Sequence, residues 1–116
     1  MRKIFVLILS IAVAFSAIAE SRTDKLLHEL HNPKSDYVFV IAHRADWRNY
    51  PENSLEAIES AIEMGVDIIE LDIKKTKDGH IILMHDKKVD RTTNRKGLVS
   101  DYTLAEMKEM VLRAGQ

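Results

Sequence analysis

A strand, helix, strand pattern between residues 38 and 73 constrains the fold more than any other feature. Residues 38–42 (VFVIA) are a continuous β-branched and apolar run, typical of a strand buried on both faces of a parallel sheet. Leu55, Ile58 and Ile62 then recur at helical spacing, and a second apolar strand at 66–73 follows Gly65, which suits a left-handed helix end. This order favours a parallel α/β sheet over a β-sandwich.

Two helix starts are predicted from local signals. Asn53 is followed three residues later by Glu56, and Thr103 by Glu106, and both pairs fit the capping-box pattern. The first helix is predicted to end at Gly65, and the second is expected to run to about residue 113.

An Asp78-Gly79 dipeptide predicts a hairpin directly after the second strand. In a two-residue turn of this type, residues 81–84 return antiparallel to the second strand. The register of that turn would place His85 opposite Asp72, with their Cβ atoms about 5 Å apart.

Residues 1–19 have the form of a secretory signal peptide. Arg2 and Lys3 precede an apolar stretch at 4–15, and Ala17 and Ala19 fit a cleavage site. An uncleaved anchor is the alternative, and the two small alanines argue against it. We therefore expect an exported protein, periplasmic or extracellular, with no stable membrane anchor after cleavage. The chain would divide into a signal peptide (1–19), a polar segment (20–36) and a partial α/β domain (37–116).

Composition limits the kinds of site and partner. The absence of cysteine excludes disulfides and thiolate ligands, so any bound metal must use oxygen or imidazole donors. Without Arg2 and Lys3, 15 of the 17 basic residues remain against 18 acidic ones, and none form a basic block. Nucleic acid is therefore not an expected partner. The sequence does not indicate an oligomeric state.

The candidate chemistry collects at the ends of the two predicted strands. Glu70 and Asp72 alternate with apolar residues and so project from one face, where a hard divalent cation would offset both charges. A solvated edge strand explains the alternation equally well. His85 would be delivered by the hairpin, and His43 and Arg44 end the first strand. Two imidazoles, a guanidinium and a cation suit phosphodiester cleavage near neutral pH.

Several nearby residues have two possible roles. Glu52 can belong to the site or favour the start of the following helix, and Asp86 can orient His85 or begin the next turn. Trp47 and Tyr50 can form an apolar wall or anchor their loop.

Two further groups are expected to have no role in the site. His28 and His31 are interpreted as surface helix residues. The basic residues of the loop after the hairpin are expected to be solvated: Arg91, Arg95 and Lys96.

Taken together, these motifs resemble the glycerophosphodiester phosphodiesterase family from residue 38 to about residue 110. The matching segments, in order, are Ile41-Ala42-His43-Arg44, Pro51-Glu52-Asn53-Ser54, Glu70-Leu71-Asp72, Thr76-Lys77-Asp78-Gly79, His85-Asp86 and Asp90-Arg91-Thr92-Thr93. The resemblance implies the N-terminal part of a TIM (β/α)8 barrel with a small hairpin-containing insertion after the second strand. It also implies hydrolysis of a small glycerophosphodiester to an alcohol and glycerol 3-phosphate, in phospholipid breakdown.

The resemblance implies a role for each site residue. His43 and His85 would be the catalytic acid and base, Arg44 would bind phosphate, and Glu70 and Asp72 would bind one divalent cation, Ca²⁺ or Mg²⁺. Glu52 and Asp86 would support the site. A glycerol hydroxyl would attack phosphorus, the alcohol would leave, and water would open the cyclic phosphate.

Two departures from the family pattern carry expectations of their own. Ala45 stands where the family usually has glycine and would be strained at a positive φ. The family's third acidic ligand and its lysine come from later strands, so this chain is expected to be a fragment with an incomplete site. The alternatives are a non-catalytic module with a partial cation or phosphate site, or a phosphatidylinositol phospholipase on the same barrel.

Overall fold

The structure is a computed structural model that describes residues 20–114. The predicted signal peptide lies outside the described residues. The described part divides after Ser35 into two compact units. In the first unit, helix α1 (Arg22–His31) begins with a capping box between Ser21 and Asp24 and has no buried residue. Among the described residues, no helix is long and apolar enough to cross a membrane.

The second unit contains the predicted βαβ pattern. Strand β1 (Ile41–His43) pairs in parallel with strand β2 (Ile68–Glu70), and helix α2 (Leu55–Glu63) connects them. The register places His43 beside Glu70 at the ends of both strands. Gly65 has φ 73° just after α2, as the sequence predicts. The parallel α/β arrangement is thus confirmed.

Helix α2 buries small side chains rather than its large apolar ones. Ala57 and Ala61 are fully buried and pack with Ala45, whereas Leu55 and Ile62 are 71% and 64% exposed. The buried alanines are four residues apart and lie on the same side of the helix, and their small side chains permit close packing. Of the three apolar residues that recur at helical spacing, only Ile58 packs against this core.

The predicted capping residue of α2 is also wrong by one position. The hydroxyl oxygen of Ser54 accepts the N–H of Ala57, so Ser54 is the N-cap. Asn53 is free for another purpose. Its side-chain oxygen accepts the N–H of Asp72 at 3.0 Å, at the point where the predicted strand 66–73 divides into two.

The hairpin is present, but its register differs from the prediction by one residue. Strands β3 (Ile73–Lys75) and β4 (Ile81–Leu83) are antiparallel, and the N–H of Thr76 donates to the carbonyl of His80 at 2.9 Å. The loop therefore has three residues, 77–79, with Gly79 at φ 88°. As a result the N–H of Met84, not His85, lies across from Asp72.

The last elements pack on a second small core. Met84, Val89 and Val99 are buried together, and a single 3₁₀ turn (Val99–Asp101) precedes helix α3 (Leu104–Lys108). The capping box of Thr103 and Glu106 is confirmed.

Helix α3 is shorter than expected and does not reach residue 113. The chain after it pairs with an earlier loop instead. Thr93 and Leu112 form an antiparallel bridge, and the N–H of Arg113 donates to the carbonyl of Thr92 at 2.9 Å. These backbone hydrogen bonds replace the ones that further helical turns would supply.

Candidate active site

The first half of the site is built where β1 ends. His43 is the last residue of β1, and its Nε2 lies 3.9 Å from Oε2 of Glu70 on the neighbouring strand. The chain then turns through two left-handed residues, Arg44 (φ 57°) and Ala45 (φ 61°). This turn lets the backbone N–H of Arg44 donate to the same Glu70 oxygen at 3.2 Å.

Ala45 does adopt the positive φ for which the family pattern has glycine. A left-handed conformation costs an alanine about 1–2 kcal/mol. Its methyl group is buried against Ala57 and Ala61, so packing offsets part of that strain. The backbone of this turn therefore keeps its shape without glycine.

Glu70 and Asp72 both face Arg44, while the alternating residues Ile69 and Leu71 pack against the core. Nε of Arg44 lies 3.6 Å from Oδ2 of Asp72. Asn53 fixes the same carboxylate, because its side-chain N–H donates to Oδ2 at 3.1 Å. The two carboxylates thus lie on one face, as the alternating pattern predicts, and both contact Arg44 in the loop that follows β1.

The second half of the site is organised by Glu52, whose side chain is 93% buried. Both of its oxygens accept N–H groups of Arg91, at 2.7 and 2.8 Å, and a longer pair of contacts, each 3.3 Å, comes from Arg44. The hydrogen bonds from Arg91 lower the pKa of Glu52 and outweigh the opposing effect of burial. Glu52 is therefore ionised at neutral pH.

Asp86 connects this half to His85. Its Oδ1 lies 2.7 Å from Nδ1 of His85, and Arg91 donates to both of its oxygens, at 2.8 and 3.1 Å. The hydrogen bonds from Arg91, followed by the one from His85, hold the pKa of Asp86 well below its usual range. Because an ionised carboxylate can only accept, Nδ1 of His85 carries the proton and Nε2 is left for chemistry.

All seven residues that the sequence predicts for the site lie in one continuous network of contacts, which Arg91 completes as an eighth member. The order along it is His43, Glu70, Arg44, Glu52, Arg91, Asp86 and His85, with Asp72 attached to Arg44.

Sequence reasoning missed Asn53 and Arg91 as members of this network. Arg91 is exposed like Arg95 and Lys96, with 39% of its side chain accessible, but its guanidinium also donates to two carboxylates, which the sequence did not predict. Both missed residues lie inside the motifs that carry the family resemblance, and that position is the signal that could have found them.

A cavity of about 230 Å³ opens beside the network. It is lined by His43, Arg44, Trp47, Glu52 and Arg91. Trp47 supplies its apolar side, with the Arg48 guanidinium 5.4 Å from the ring centre. Tyr50 lines a separate hollow on α2 instead. A cavity with two guanidiniums and an imidazole suits a small anion that carries an apolar group.

The donors near Arg44 suit a hard cation, although they do not form a complete cage. Each carboxylate has one oxygen occupied by a neighbouring donor, Oε2 in Glu70 and Oδ2 in Asp72, and carboxylate oxygen is the ligand that Ca²⁺ and Mg²⁺ prefer. Within residues 20–114, no group of three or more acidic, histidine or cysteine side chains is placed to bind a metal ion. His31, which the sequence predicts to lie on the surface of the first helix, does not belong to such a group, and its Nδ1 is hydrogen bonded to the carbonyl of Leu27.

Comparison with known proteins identifies the relatives of this chain. The model of the glycerophosphoryl diester phosphodiesterase family matches residues 43–116. A glycerophosphodiester phosphodiesterase from Caldanaerobacter subterraneus subsp. tengcongensis is 55% identical over 71 residues, which are 61% of this chain and 29% of that protein. One from Bacillus altitudinis is 54% identical over 69 residues, 60% of this chain and 28% of the relative. The chain thus spans less than a third of these relatives.

Solved structures agree with the sequence relatives. A glycerophosphoryl diester phosphodiesterase from Parabacteroides distasonis matches 81% of this chain and 33% of its own, with a TM-score of 0.69 and 34% identity. An Oleispira antarctica phosphodiesterase, solved in complex with the product sn-glycerol-3-phosphate, matches 63% of this chain and 30% of its own, with a TM-score of 0.61 and 36% identity. Since the family model covers more than half of the residues, the chain belongs to the glycerophosphoryl diester phosphodiesterase family.

Proposed function

We propose that this protein hydrolyses glycerophosphodiesters to an alcohol and glycerol 3-phosphate, as a metal-dependent phosphoric diester hydrolase. The observation that carries the proposal is the network that joins two imidazoles, His43 and His85, through a guanidinium and carboxylates at one edge of the parallel strands. Family membership and the product bound in the Oleispira relative support the same substrate class.

Arg44 is the residue that we assign to the phosphate. Its Nε is buried and has no hydrogen-bond partner, and its NH1 makes only the long contacts to Glu52. A buried donor without a partner costs about 1–3 kcal/mol, and a phosphate oxygen would satisfy it. The guanidinium also offsets the negative charge that the diester carries.

The two imidazoles, His43 and His85, act as general acid and general base. One accepts the proton of the glycerol hydroxyl as its oxygen bonds to phosphorus, and the other donates a proton to the departing alcohol oxygen. In the second step, water bonds to phosphorus and loses a proton to the imidazole that gave one, while the P–O bond to the attacking glycerol oxygen breaks and the other imidazole returns its proton to that oxygen. His85 is suited to this exchange because Asp86 holds its Nδ1–H and leaves Nε2 available.

Glu70 and Asp72 would hold the divalent cation, Ca²⁺ or Mg²⁺. When bound, it would offset phosphate charge and lower the pKa of an oxygen ligand. The hard oxygen donors of these two side chains fit such an ion.

We also propose that the second unit is the N-terminal part of a (β/α)8 barrel, with β3 and β4 as a hairpin insertion after the second barrel strand. The parallel β1–β2 pair with its connecting helix supports this arrangement. The site then lies at the C-terminal ends of barrel strands, where active sites of such barrels are found.

The experiment that tests the activity is release of glycerol 3-phosphate from glycerophosphocholine, with Ca²⁺, with Mg²⁺ and with chelator. The variants His43→Ala and His85→Ala should abolish metal-dependent release, because each removes one proton-transfer group. His80→Ala is the matched control, since the His80 side chain is exposed next to the hairpin loop and its contact to Asp78 is long, at 3.8 Å. Equal rates in all of these variants would contradict the proposal.

A second candidate is a non-catalytic module that binds cation or phosphate at a partial site. The lack of a three-ligand cluster within the described part of the chain favours it. Calorimetric titration with Ca²⁺ and with glycerol 3-phosphate separates the candidates. Binding that depends on Arg44 and Asp72 without any turnover would assign the module, and turnover would assign the enzyme.

Export through the signal at residues 1–19 remains a proposal. A fusion of these residues to a reporter that is active only outside the cytoplasm tests it. Accumulation of a larger, uncleaved fusion protein when Ala17 and Ala19 are replaced by bulky residues would support cleavage at the predicted position.

A further inference from the structure

Arg91 stands out because nearly all of its hydrogen-bonding capacity is used inside the network. A guanidinium has five N–H donors. Four contacts are made: Nε and NH2 reach Asp86 at 2.8 and 3.1 Å, and NH1 and NH2 reach Glu52 at 2.8 and 2.7 Å. Arg44, in contrast, keeps a buried Nε without a hydrogen-bond partner. The two arginines that line the cavity therefore differ: Arg44 has a donor available for a ligand, whereas nearly all donors of Arg91 are used within the protein.

Arg91 also joins two segments that are distant in the chain. Glu52 precedes α2, and Asp86 follows β4 and contacts His85. The planar fork of arginine can engage a carboxylate on each of two edges, which lysine cannot do with one point charge. A single side chain thus sets the position of one carboxylate beside Arg44 and of another beside His85.

We propose that Arg91 is a positioning residue for the reaction: its guanidinium fixes the Asp86 carboxylate so that His85 is held with Nδ1 protonated and Nε2 directed to the substrate. This proposal rests on the proposed function, in which His85 exchanges a proton. The Oδ1 atom of Asp86 that meets His85 is the atom that also accepts from Arg91 at 3.1 Å. Without Arg91, the carboxylate can rotate and the imidazole loses its fixed partner.

The contact between Arg91 and Glu52 also affects Arg44, because it leaves the donors of Arg44 available for phosphate. With Arg91 present, a strong bidentate pair satisfies Glu52, and Arg44 contributes only 3.3 Å contacts. If Arg91 is removed, the buried Glu52 has Arg44 as its remaining cation in the network. Arg44 would then turn its donors to Glu52 and away from phosphate.

The decisive measurement is the tautomer of His85, read from its ring nitrogen chemical shifts by NMR at a pH where the ring is neutral. The signal is assigned by its loss in His85→Gln. We expect the wild type to show the Nδ1–H form, and Arg91→Gln to give a mixture of tautomers. Arg95→Gln is the matched control, because it removes an equal charge from an exposed position of the same loop. It should leave the tautomer unchanged.

Activity provides the second readout. Arg91→Gln should lower kcat about 10- to 100-fold, the range seen when a group that orients a functional side chain is lost. The change in KM should be smaller, whereas a residue that binds substrate directly would raise KM first. Arg91→Lys keeps the charge but not the planar fork, so its tautomer mixture should resemble that of Arg91→Gln.

The outcomes separate this inference from the proposed function. A folded Arg91→Gln protein, by circular dichroism, with an unchanged Nδ1–H tautomer overturns the positioning role. If Arg91→Gln does not fold, the same measurement is made on Arg91→Lys. If His85 in that variant is entirely in the Nδ1–H form, as in the wild type, the positioning role is also overturned. Absence of turnover in the wild type contradicts only the proposed function, because the tautomer still reports on the Arg91–Asp86–His85 geometry.

Discussion

At the scale of single residues, the site depends on backbone positions that most amino acids avoid. Arg44, Ala45 and Asn53 all have positive φ values, between 57° and 61°. Asparagine tolerates this region better than other non-glycine residues. At Asn53 the unusual backbone also aims the side-chain amide at Asp72, where it both accepts and donates a hydrogen bond.

Asn53 therefore offers a prediction that separates backbone strain from hydrogen bonding. Asn53→Gly keeps the positive φ and loses only the contacts to Asp72, which should cost about 1–3 kcal/mol of unfolding free energy. Asn53→Ala should cost about 1–2 kcal/mol more, because alanine is strained at this φ. Urea unfolding of both variants beside the wild type measures the difference. Equal losses would mean that the left-handed backbone contributes nothing.

At the scale of elements, the hairpin loop is tied to helix α3 by polar groups. The Thr76 hydroxyl is buried, donates to Oδ1 of Asp78 at 2.6 Å and accepts the N–H of His80 at 2.9 Å. Asp78 in turn accepts the N–H of Leu104, the first residue of α3. The hydrogen bond from Thr76 is the main cause of the lowered pKa of Asp78.

Thr76→Val tests this link. It keeps the shape of the side chain but leaves the His80 N–H without its side-chain acceptor, so the unfolding free energy should fall by about 1–3 kcal/mol. Thr76→Ser is the control, because it keeps the hydroxyl and loses one methyl group, worth about 0.8 kcal/mol. Chemical denaturation gives both values. A serine variant that is as unstable as the valine variant would argue against the hydroxyl.

The elements also show why some predictions succeed and others fail. The capping box at Thr103 and the left-handed Gly65 depend on residues within one turn, and both are correct. The end of α3 depends on Thr92, which is distant in the chain, and the hairpin register depends on the pairing of Thr76 with His80, which the Asp78-Gly79 dipeptide does not include. A local pattern cannot include a competing hydrogen bond from a distant segment.

At the scale of the whole molecule, the residue types of the site are predictable and their connections are not. Motif order places His43, Arg44, Glu70 and Asp72 near one another because parallel strands end at a common edge. The contact between Glu52 and Arg91 spans 39 positions, and charge and exposure are alike at Arg91 and Arg95. The family motif sets Arg91 apart, but only the folded chain shows which carboxylates it contacts.

The same network predicts how stability depends on pH. The pKa values of Glu52 and Asp86 are both lowered in the folded chain, with Arg91 as the first cause in each case. A carboxyl group whose pKa is lower when folded stabilises the fold above its unfolded pKa, about 4, and this contribution is lost as pH falls through the folded pKa. Stability should therefore be full above about pH 5 and decline below it.

Arg91→Gln measures how much of the loss of stability in acid comes from Glu52 and Asp86. Asp46, Asp78 and Glu106 also have lowered pKa values, and their hydrogen bonds do not involve Arg91, so they make every variant less stable in acid. The urea midpoint should fall less between pH 6 and pH 3 in Arg91→Gln than in the wild type, because the pKa values of Glu52 and Asp86 return toward their usual range. Arg95→Gln should follow the wild type. If the wild type and Arg91→Gln lose equal stability over this interval, the guanidinium does not set the charge state of these two carboxylates, and the acid sensitivity belongs to the other three.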